Sequence, residues 1–277
     1  MATDRQRGAS FAVKLIVLIA PFAIFLGLVE LGFRWYFNTH IFYDVEMARY
    51  ANELKVQASN PLIGHVHRPG ASMHVMGTDV QINADGFRDD EYTIERSGKR
   101  RIVVLGDSLT FGWGVEKEQS FEHLLEKRFD SVSPTELINL GAGNYNTTQQ
   151  VNLFKDKGLA YQPDEVFLFY FINDAEPVPQ KSRYAWLAHF RTATFFWSRV
   201  KALMAKSTPS EGFHAFYADL YRDDQPGWIQ TRDALAELKA ICDSHGISLK
   251  VVILPELHEL TTYPFEAEHA ALSRHLT

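Results

Sequence analysis

From residue 101 onward, short apolar runs alternate with segments whose apolar residues recur at helical spacing. Buried strands are predicted at 102–105, 136–140, 165–172 and 247–254. Helices are predicted at 121–129, 149–159, 231–245 and 264–276. This alternation is typical of an α/β domain in which helices cover both faces of a mostly parallel sheet. The chain is long enough for one such domain with accessory segments.

Polar loops follow the predicted strands at their carboxyl ends. The four loops contain Gly106-Asp107-Ser108, residues 141–147, Asn173-Asp174 and residues 255–259. Because ligands of open parallel sheets bind outside the carboxyl ends of the strands, we expect these loops to share one site. Helix capping alone would not require all of them to be polar in this way.

The side chains in these loops suit acyl transfer. Ser108 provides a hydroxyl nucleophile. The negative charge of a tetrahedral intermediate needs preorganised hydrogen-bond donors. Three donors are available: the Ser108 N–H, the backbone turn at Gly143 and Asn144, and the Asn173 side-chain amide.

Three blocks of the sequence resemble the signature blocks of the SGNH (GDSL-type) hydrolases. They are Gly106-Asp107-Ser108-Leu109, residues 139–147 and residues 171–174. The resemblance covers about residues 80–277 and implies a doubly wound, flavodoxin-like parallel sheet. It also implies a nucleophile at Ser108, a backbone N–H from the second block and a side-chain donor from the asparagine of the third. The first block is not the Gly-x-Ser-x-Gly elbow of the α/β-hydrolases.

The second and third blocks depart from the family's usual pattern. The usual glycine of the second block falls on Asn144 or, with a one-residue slip, on Gly143. Asparagine adopts a positive φ more readily than most residues, so a backbone donor tolerates this change. In the third block Phe171-Ile172 precede Asn173, where the family commonly has Gly-x.

A general base is missing from these blocks. The family places Asp-x-x-His after a fifth strand, and this sequence contains no Asp-x-x-His. We therefore expect the chain to be truncated before its last strand. His258, which follows the fourth predicted strand between Glu256 and Glu259, is the candidate for a substitute base. His269 falls on the apolar face of the last predicted helix and is interpreted as a core residue.

The N-terminus contains a continuous apolar segment. Residues 15–33 have about the length that spans a bilayer core. Arg5, Arg7 and Lys14 precede them, so the positive-inside rule predicts a cytoplasmic N-terminus and an exported, periplasmic α/β domain. A cleaved signal peptide is the alternative, but no Ala-x-Ala-like site follows the apolar run. We expect an uncleaved, single-pass anchor within residues 1–37.

Two other segments are less regular. Residues 38–100 are expected to form an irregular, partly β lead-in to the domain at 101–277. Within it His65 and His67 alternate as on a strand, and two histidines without further ligands do not predict a metal site. Residues 175–228 form an aromatic insertion, interpreted as a helical subdomain, with a substrate lid or a membrane-surface contact as alternatives.

Charge and cysteine content argue against several other classes of protein. The net charge of −6 and the absence of a basic cluster do not indicate nucleic-acid binding. Cys242 is the single cysteine, so neither an intramolecular disulfide nor a cysteine metal site is predicted. The Gly-x-Gly at 141–143 lacks the third glycine of a dinucleotide site. We expect no cofactor and no metal.

The sequence predicts a membrane-anchored, serine-dependent acyl-ester hydrolase. Residues 82–88 resemble the lead-in of membrane-anchored, polysaccharide-associated family members, which implies O-acetyl groups of an envelope or extracellular polysaccharide as substrate. Polysaccharide O-acetyltransfer and a non-catalytic glycan-binding or assembly role are the alternatives. The expected partners are an acylated glycan or other small ester, the lipid bilayer through residues 15–33, and polysaccharide-export or modification proteins.

Overall fold

The computed structural model describes residues 11–179, 185–204, 209–258 and 260–276. The chain begins with helices α1 (Phe11–Phe37) and α2 (Tyr43–Glu53). Two antiparallel strand pairs follow, β1 (Lys55–Gln57) with β2 (His65–His67) and β3 (Ser72–Val75) with β4 (Thr78–Gln81). The α/β part comprises β5 (Arg100–Leu105), α3 (Phe121–Asp130), β6 (Thr135–Asn139), α4 (Thr147–Asp156), β7 (Glu165–Tyr170), α5 (Arg191–Met204), α6 (Pro209–Leu220), α7 (Pro226–His245), β8 (Ser248–Ile253) and α8 (Glu266–Leu276). Short 3-10 helices lie at Lys117–Gln119, Gly158–Tyr161, Ile172–Ala175 and Ala185–His189.

Strands β5 to β8 form one parallel sheet in the order β6-β5-β7-β8. Val103 of β5 pairs with Ile138 of β6 on one side and with Val166 of β7 on the other, and all three side chains are fully buried. In chain order this is the two-one-three-four arrangement of a flavodoxin-like sheet, whose winding reverses between β5 and β7. The predicted doubly wound α/β class is confirmed.

Helices pack on both faces of this sheet because its inner strands are apolar on both sides. On one face Phe167 and Phe169 of β7 share a core with α3, and the ring centroids of Phe169 and Phe121 lie 4.7 Å apart. On the other face Leu168 shares a core with residues of α4 and α7. Each fully buried side chain of this size stabilises the fold by about 1.5–3 kcal/mol.

Most predicted elements are present with shifted ends. Helix α4 begins at Thr147, two residues earlier than predicted, because Asn146 and Gln149 form a reciprocal cap. The Asn146 side chain accepts the Gln149 N–H at 2.9 Å, and the Gln149 side chain accepts the Asn146 N–H at 3.2 Å. Helix α7 begins at Pro226, since proline is favoured in the first turn of a helix.

Helix α2 lies in a segment for which the sequence predicts an irregular, partly β lead-in. Its buried residues include Glu46 and Tyr50. The Glu46 carboxylate accepts hydrogen bonds from the Met76 N–H (2.8 Å) and from Arg49 (2.7 Å). A charged residue on the buried face breaks the apolar periodicity on which helix prediction depends, so the helix was not predicted.

Helix α1 lies outside these cores. Its segment Val13–Phe37 is long and apolar enough to cross a bilayer, with a mean hydropathy of 2.5 and no burial of its most apolar window. The aromatic insertion at 175–228 contains α5, α6 and the start of α7, so most of its described residues are helical. Tyr184, one of its aromatic residues, lies outside the described residues.

Candidate active site

Ser108 lies in the loop after β5, at the end of the sheet where its winding reverses. Gly106 ends the strand, and a Cβ atom there would lie 2.0 Å from Thr110 Oγ1, so the position requires glycine. The loop turns tightly, with the Phe111 N–H donating to the Asp107 carbonyl at 2.9 Å. The Ser108 side chain is half-buried, and its hydroxyl donates to the Asp107 carboxylate at 3.4 Å. The hydroxyl is therefore both oriented and accessible.

Asp107 joins this nucleophile loop to the loop after β7. Its carboxylate accepts the Leu109 N–H at 2.9 Å and also a hydrogen bond from the Asn173 side chain. Burial raises the pKa of Asp107, and the hydrogen bonds from Leu109, Asn173 and Ser108 oppose that rise. Ser108 and Asn173 thus meet at one carboxylate, as their positions after neighbouring strands predicted.

Asn173 lies in the short 3-10 helix after β7, which its neighbour Asp174 holds in place. The fully buried Asp174 carboxylate accepts the Gln150 side-chain amide at 3.1 Å. Burial, reinforced by the nearby charge of Asp107, raises the pKa of Asp174 well above its ordinary value. In the described part of the chain the buried Oδ1 of Asn173 has no hydrogen-bond partner. The Asn173 amide is oriented with its nitrogen toward the Asp107 carboxylate, and this orientation explains why its oxygen has no partner.

The loop after β6 packs directly against the nucleophile loop. The Asn139 side-chain amide donates to the Thr110 carbonyl at 2.8 Å, and the Ala142 N–H donates to the Gly106 carbonyl at 3.3 Å. A Cβ atom at Gly141 would lie 2.6 Å from the Thr110 carbonyl carbon, so only glycine permits this approach. The three predicted loops therefore converge.

The two predicted backbone donors of the second loop differ in their hydrogen bonds. Asn144 has a φ of +67°, a left-handed conformation that asparagine adopts more readily than most residues. The Gly143 N–H donates to the Tyr50 hydroxyl at 2.9 Å. The Asn144 N–H has no acceptor within the described ranges. Of the two, the Asn144 N–H is the one available to a substrate.

Tyr50 and His67, from the segment before the α/β part, hold the turn at Gly143 and Asn144 in place. The sequence did not indicate this role. The Tyr50 hydroxyl is buried and lies 2.6 Å from His67 Nε2, while His67 Nδ1 lies 3.3 Å from the Gly86 carbonyl. Burial lowers the pKa of His67 to about 3, so its ring is neutral at pH 7. A neutral ring that donates through Nδ1 to Gly86 accepts the Tyr50 proton at Nε2.

Lys55 contacts the same turn, also without a sequence signal. Its Nζ donates to the Gly143 carbonyl at 2.7 Å and to Asn144 Oδ1 at 3.0 Å. Burial lowers the pKa of Lys55 to about 7. His65 Nε2 lies 3.1 Å from the same Gly143 carbonyl, and burial lowers the pKa of His65 to about 3. The alternating histidines of β2 are thus hydrogen-bonded, with His67 buried and His65 partly buried, and both lie on a strand as the sequence indicated.

Arg88 supports the nucleophile loop through hydrogen bonds to its backbone carbonyls. Its guanidinium is buried and donates to the carbonyls of Phe111 (3.2 Å), Gly112 and Val115 (2.6 Å). Gly112 takes a φ of +77°, which points its carbonyl at the arginine without strain. One side chain therefore satisfies three loop carbonyls and fixes the loop that begins with Asp107 and Ser108.

His258, the candidate substitute base, lies at the carboxyl end of β8. Its Nδ1 is hydrogen-bonded to the buried Glu256 carboxylate, which also accepts the His258 N–H at 3.0 Å. The imidazole is 93% exposed, and in the described chain no hydrogen bond joins it to Ser108. Glu259, its other acidic neighbour in sequence, lies outside the described residues.

An apolar cleft of about 510 Å³ separates the loop after β8 from the nucleophile loop. Its apolar walls include Leu109, Trp113 and Phe121 on one side and Leu254 and Leu257 on the other. Leu109 is the residue after Ser108, so one wall of the cleft belongs to the nucleophile loop. Its walls suit the apolar part of a small ester.

One cluster in the described structure has the geometry of a metal site. Asp90, His123 and Glu126 bring one ligand atom each within 4.8 Å of one another. The Lys117 ammonium lies 2.5 Å from the Asp90 carboxylate and neutralises it. None of these residues belongs to the converging loops, and the acyl-transfer chemistry described above does not use them.

No known family profile and no curated protein matches this sequence. Several solved structures are similar to part of this chain. TesA is 15% identical, with a TM-score of 0.35 over 64% of this chain and 76% of its own. Esterase EstA from Pseudoalteromonas sp. is 15% identical, with a TM-score of 0.35 over 63% and 72%, respectively. AlinE4, an SGNH-hydrolase family esterase, is 15% identical, with a TM-score of 0.28 over 66% and 100%.

Hydrolases of the GDSL and SGNH type are thus among the solved structures that this chain resembles, as its three blocks predicted. The fold and the converging loops define a doubly wound α/β domain with a serine at the end of its sheet where the winding reverses.

Proposed function

We propose that this protein is a serine-dependent acyl-ester hydrolase. The convergence of three loops around Asp107 supports the proposal most directly. It brings a half-buried serine hydroxyl, the Asn173 amide and the turn that carries the Asn144 N–H to one edge of the sheet. A nucleophile beside preorganised donors is the arrangement that acyl transfer requires.

In the proposed reaction the Ser108 Oγ attacks the carbonyl carbon of the ester, and the carbonyl oxygen becomes an oxyanion. The N–H groups of Ser108 and Asn144 and the Asn173 amide stabilise that charge. The intermediate then expels the alkoxide, which takes up the proton that left Ser108 and departs as the alcohol, and an acyl group remains on Ser108. Attack by water releases the carboxylic acid and restores the serine.

The Ser108 proton needs a base, and we propose His258 for this role. Glu256 holds its Nδ1, as the carboxylate of a triad holds its histidine. Since the ring is 93% exposed and not bonded to Ser108, the role requires the loop after β8 to close across the apolar cleft. Closure would also exclude water from the site.

The hydrolysis of p-nitrophenyl acetate by the purified full chain tests the proposal. Ser108→Ala should reduce kcat to background, and Asn173→Ala should reduce it by about 10²–10³-fold. His258→Gln should lower kcat because it removes the proposed base. Ser133→Ala, at an exposed serine after α3, is the matched control and should leave kcat unchanged. Full activity in Ser108→Ala would refute the proposal.

We also propose O-acetyl groups of an extracytoplasmic polysaccharide as substrate, on the basis of the lead-in resemblance at residues 82–88. Incubation with an acetylated glycan and an unacetylated acceptor separates the outcomes. Free acetate supports hydrolysis, and acetyl gain on the acceptor supports O-acetyltransfer. Glycan binding without turnover, unchanged in Ser108→Ala, would instead identify a non-catalytic binding protein.

We propose that α1 anchors the chain in a membrane with its N-terminus in the cytoplasm. The length and apolar composition of Val13–Phe37 support the span, and Arg5, Arg7 and Lys14 support the orientation. Resistance to carbonate extraction tests the span, and protease sensitivity of the α/β domain on the outer side tests the orientation. Release of the whole chain by carbonate would contradict the anchor.

A further inference from the structure

Helix α5 of the aromatic insertion packs against the C-terminal end of α1. Phe195 is the centre of this contact, and its ring centroid lies 6.0 Å from Phe33, 5.4 Å from Phe37 and 5.2 Å from Phe42. Phe196 lies 5.7 Å from Phe33. The insertion is therefore joined to the proposed membrane helix through an aromatic cluster.

Glu30 of α1 forms the N-terminal cap of α5. Its carboxylate accepts the Arg191 N–H at 2.9 Å and the Thr192 N–H at 3.1 Å. Arg34 pairs with Glu30 at 2.9 Å and donates to the His189 carbonyl at 3.0 Å. A carboxylate in an apolar helix is costly unless it is paired, and the first N–H groups of a helix lack partners within it. Each group satisfies the other, which fixes the start of α5 on α1.

The outward face of α5 is apolar and bordered by cations. Its exposed apolar side chains are Phe196, Trp197, Val200, Leu203 and Met204. At 3.6 residues per turn these positions fall within an arc of about 120°. Arg199 and Lys201 fall just outside the two edges of that arc. Leu203 is 86% exposed and Met204 is 73% exposed, far more than a helix of a water-facing surface requires.

The height of this face along α1 points to its partner. At 1.5 Å per residue, Glu30 lies about 24 Å along α1 from Lys14, while a hydrocarbon core is about 30 Å thick. With Lys14 at the inner boundary, the start of α5 lies close to the outer boundary. Helices with an apolar face flanked by Lys and Arg lie in that boundary layer, where the long cationic side chains reach the headgroups.

We propose that the apolar face of α5 lies in the outer headgroup–acyl boundary of the bilayer that α1 crosses. The proposal rests on the membrane anchor proposed above. It accounts for the exposed apolar stripe, for its cationic borders and for the pairing of Glu30 with Arg34 and the start of α5. It also places the active-site domain against the membrane, because the Asn52 side chain of α2 donates to the Ala188 carbonyl at 2.9 Å and α2 provides Tyr50 to the site.

Fluorophore quenching in the full chain, reconstituted in phosphatidylcholine–phosphatidylglycerol nanodiscs, tests this proposal. A single environment-sensitive probe is attached through Leu203→Cys on α5, Leu26→Cys on α1 or Lys239→Cys on α7. The native Cys242 is fully buried and stays in place. Lipids with a nitroxide near the headgroup end of the acyl chain should strongly quench the probe at 203, which we expect about 5–10 Å below the headgroups. They should leave the exposed position 239 unquenched.

Each result decides a separate question. Quenching at position 26 but not at position 203 overturns the proposed membrane contact of α5 and leaves the membrane anchor intact. This holds whether water, a second copy of the chain or another protein covers the apolar face of α5. A blue-shifted, lipid-insensitive probe at 203 would indicate a protein partner. Loss of quenching at 26 overturns the anchor and the inference together. The esterase assay depends on neither result.

The Glu30 cap has its own test. Glu30→Gln weakens the acceptor for the N–H groups of Arg191 and Thr192, and we expect it to reduce quenching at 203 while quenching at 26 persists. Glu53→Gln, at a half-exposed carboxylate of α2 that pairs with Arg49 at 3.5 Å, is the matched control and should change neither. Equal quenching at 203 in Glu30→Gln and in the unaltered chain would show that Glu30 does not fix α5.

Discussion

Replacing Tyr50 by phenylalanine removes one oxygen atom from the support of the proposed oxyanion turn. That oxygen accepts the Gly143 N–H at 2.9 Å and lies 2.6 Å from His67 Nε2. The ring itself is fully buried, and phenylalanine fills the same space without creating a cavity. The substitution therefore isolates the two hydrogen bonds.

The magnitude follows from the burial of both partners. An unsatisfied buried donor or acceptor costs about 1–3 kcal/mol, so losing the partner of both the Gly143 N–H and His67 Nε2 should lower the free energy of unfolding by about 2–6 kcal/mol. Gly143 directly precedes Asn144 in the chain. Loss of the hydrogen bond between the Gly143 N–H and Tyr50 should therefore make the Asn144 N–H, the proposed oxyanion donor, less well positioned. One such donor contributes about 10²–10³-fold to kcat, so partial displacement should reduce kcat by about tenfold with little change in KM.

Thermal unfolding and p-nitrophenyl acetate hydrolysis measure the two effects side by side. Tyr43→Phe, at the exposed first residue of the same helix, is the matched control and should change neither. A Tyr50→Phe variant with the unaltered Tm and kcat would refute the reasoning. A lower Tm with unchanged kcat would keep Tyr50 as a structural residue and contradict the role given to the Asn144 N–H.

Substitutions at three further positions test other parts of the site. Lys55 has a pKa of about 7 in the fold and its ordinary 10.5 when unfolded, so the unfolded chain holds the extra proton between these values. The free energy of unfolding of the unaltered chain, minus that of Lys55→Met, should therefore rise from pH 7 to pH 9 when both are measured by chemical denaturation. A difference that stays constant over this range would contradict the lowered pKa of Lys55. Asn144→Ala and Asn144→Gly both lose the contact with Lys55, but only alanine is strained at φ +67°, so glycine should be more stable by about 1 kcal/mol. Equal unfolding free energies would contradict the left-handed turn. Arg88→Met leaves three loop carbonyls without their donor and should lower kcat at least about tenfold, whereas Arg96→Met, at an exposed ion pair, should be near neutral. Similar kcat values for the two variants would contradict the support role of Arg88.

The sheet could be predicted because its inner strands are buried on both faces. Such strands appear as unbroken apolar runs, and the run at 165–172 shows this most clearly. The position of polar residues at strand ends then followed from topology, and Ser108 and Asn173 do meet at Asp107. Periodicity and strand order are local or regular properties, which is why one sequence was enough for them.

The support of the site could not be predicted because it depends on long-range contacts. Tyr50 lies 93 residues before Gly143, and Lys55 lies 88 residues before it. Nothing near either residue marks it as part of a site, and the buried Glu46 obscures the helix that carries Tyr50. His258 was predicted at the correct end of the sheet, but its exposure depends on the packing of the loop after β8.

The same long-range contacts argue that the N-terminal segment does more than tether the domain. Glu30 fixes α5 to α1, Asn52 joins α2 to the turn that precedes α5, and Tyr50 of α2 holds the Gly143 peptide. A flexible tether would leave the α/β domain free to rotate, whereas these contacts link α1 to the second loop through packed helices. The orientation of the sheet edge relative to α1 is therefore set by the fold. If α1 anchors the chain as proposed, an ester near the membrane surface would meet Ser108 in a constant geometry, which would reduce the orientational freedom that the reaction must otherwise overcome.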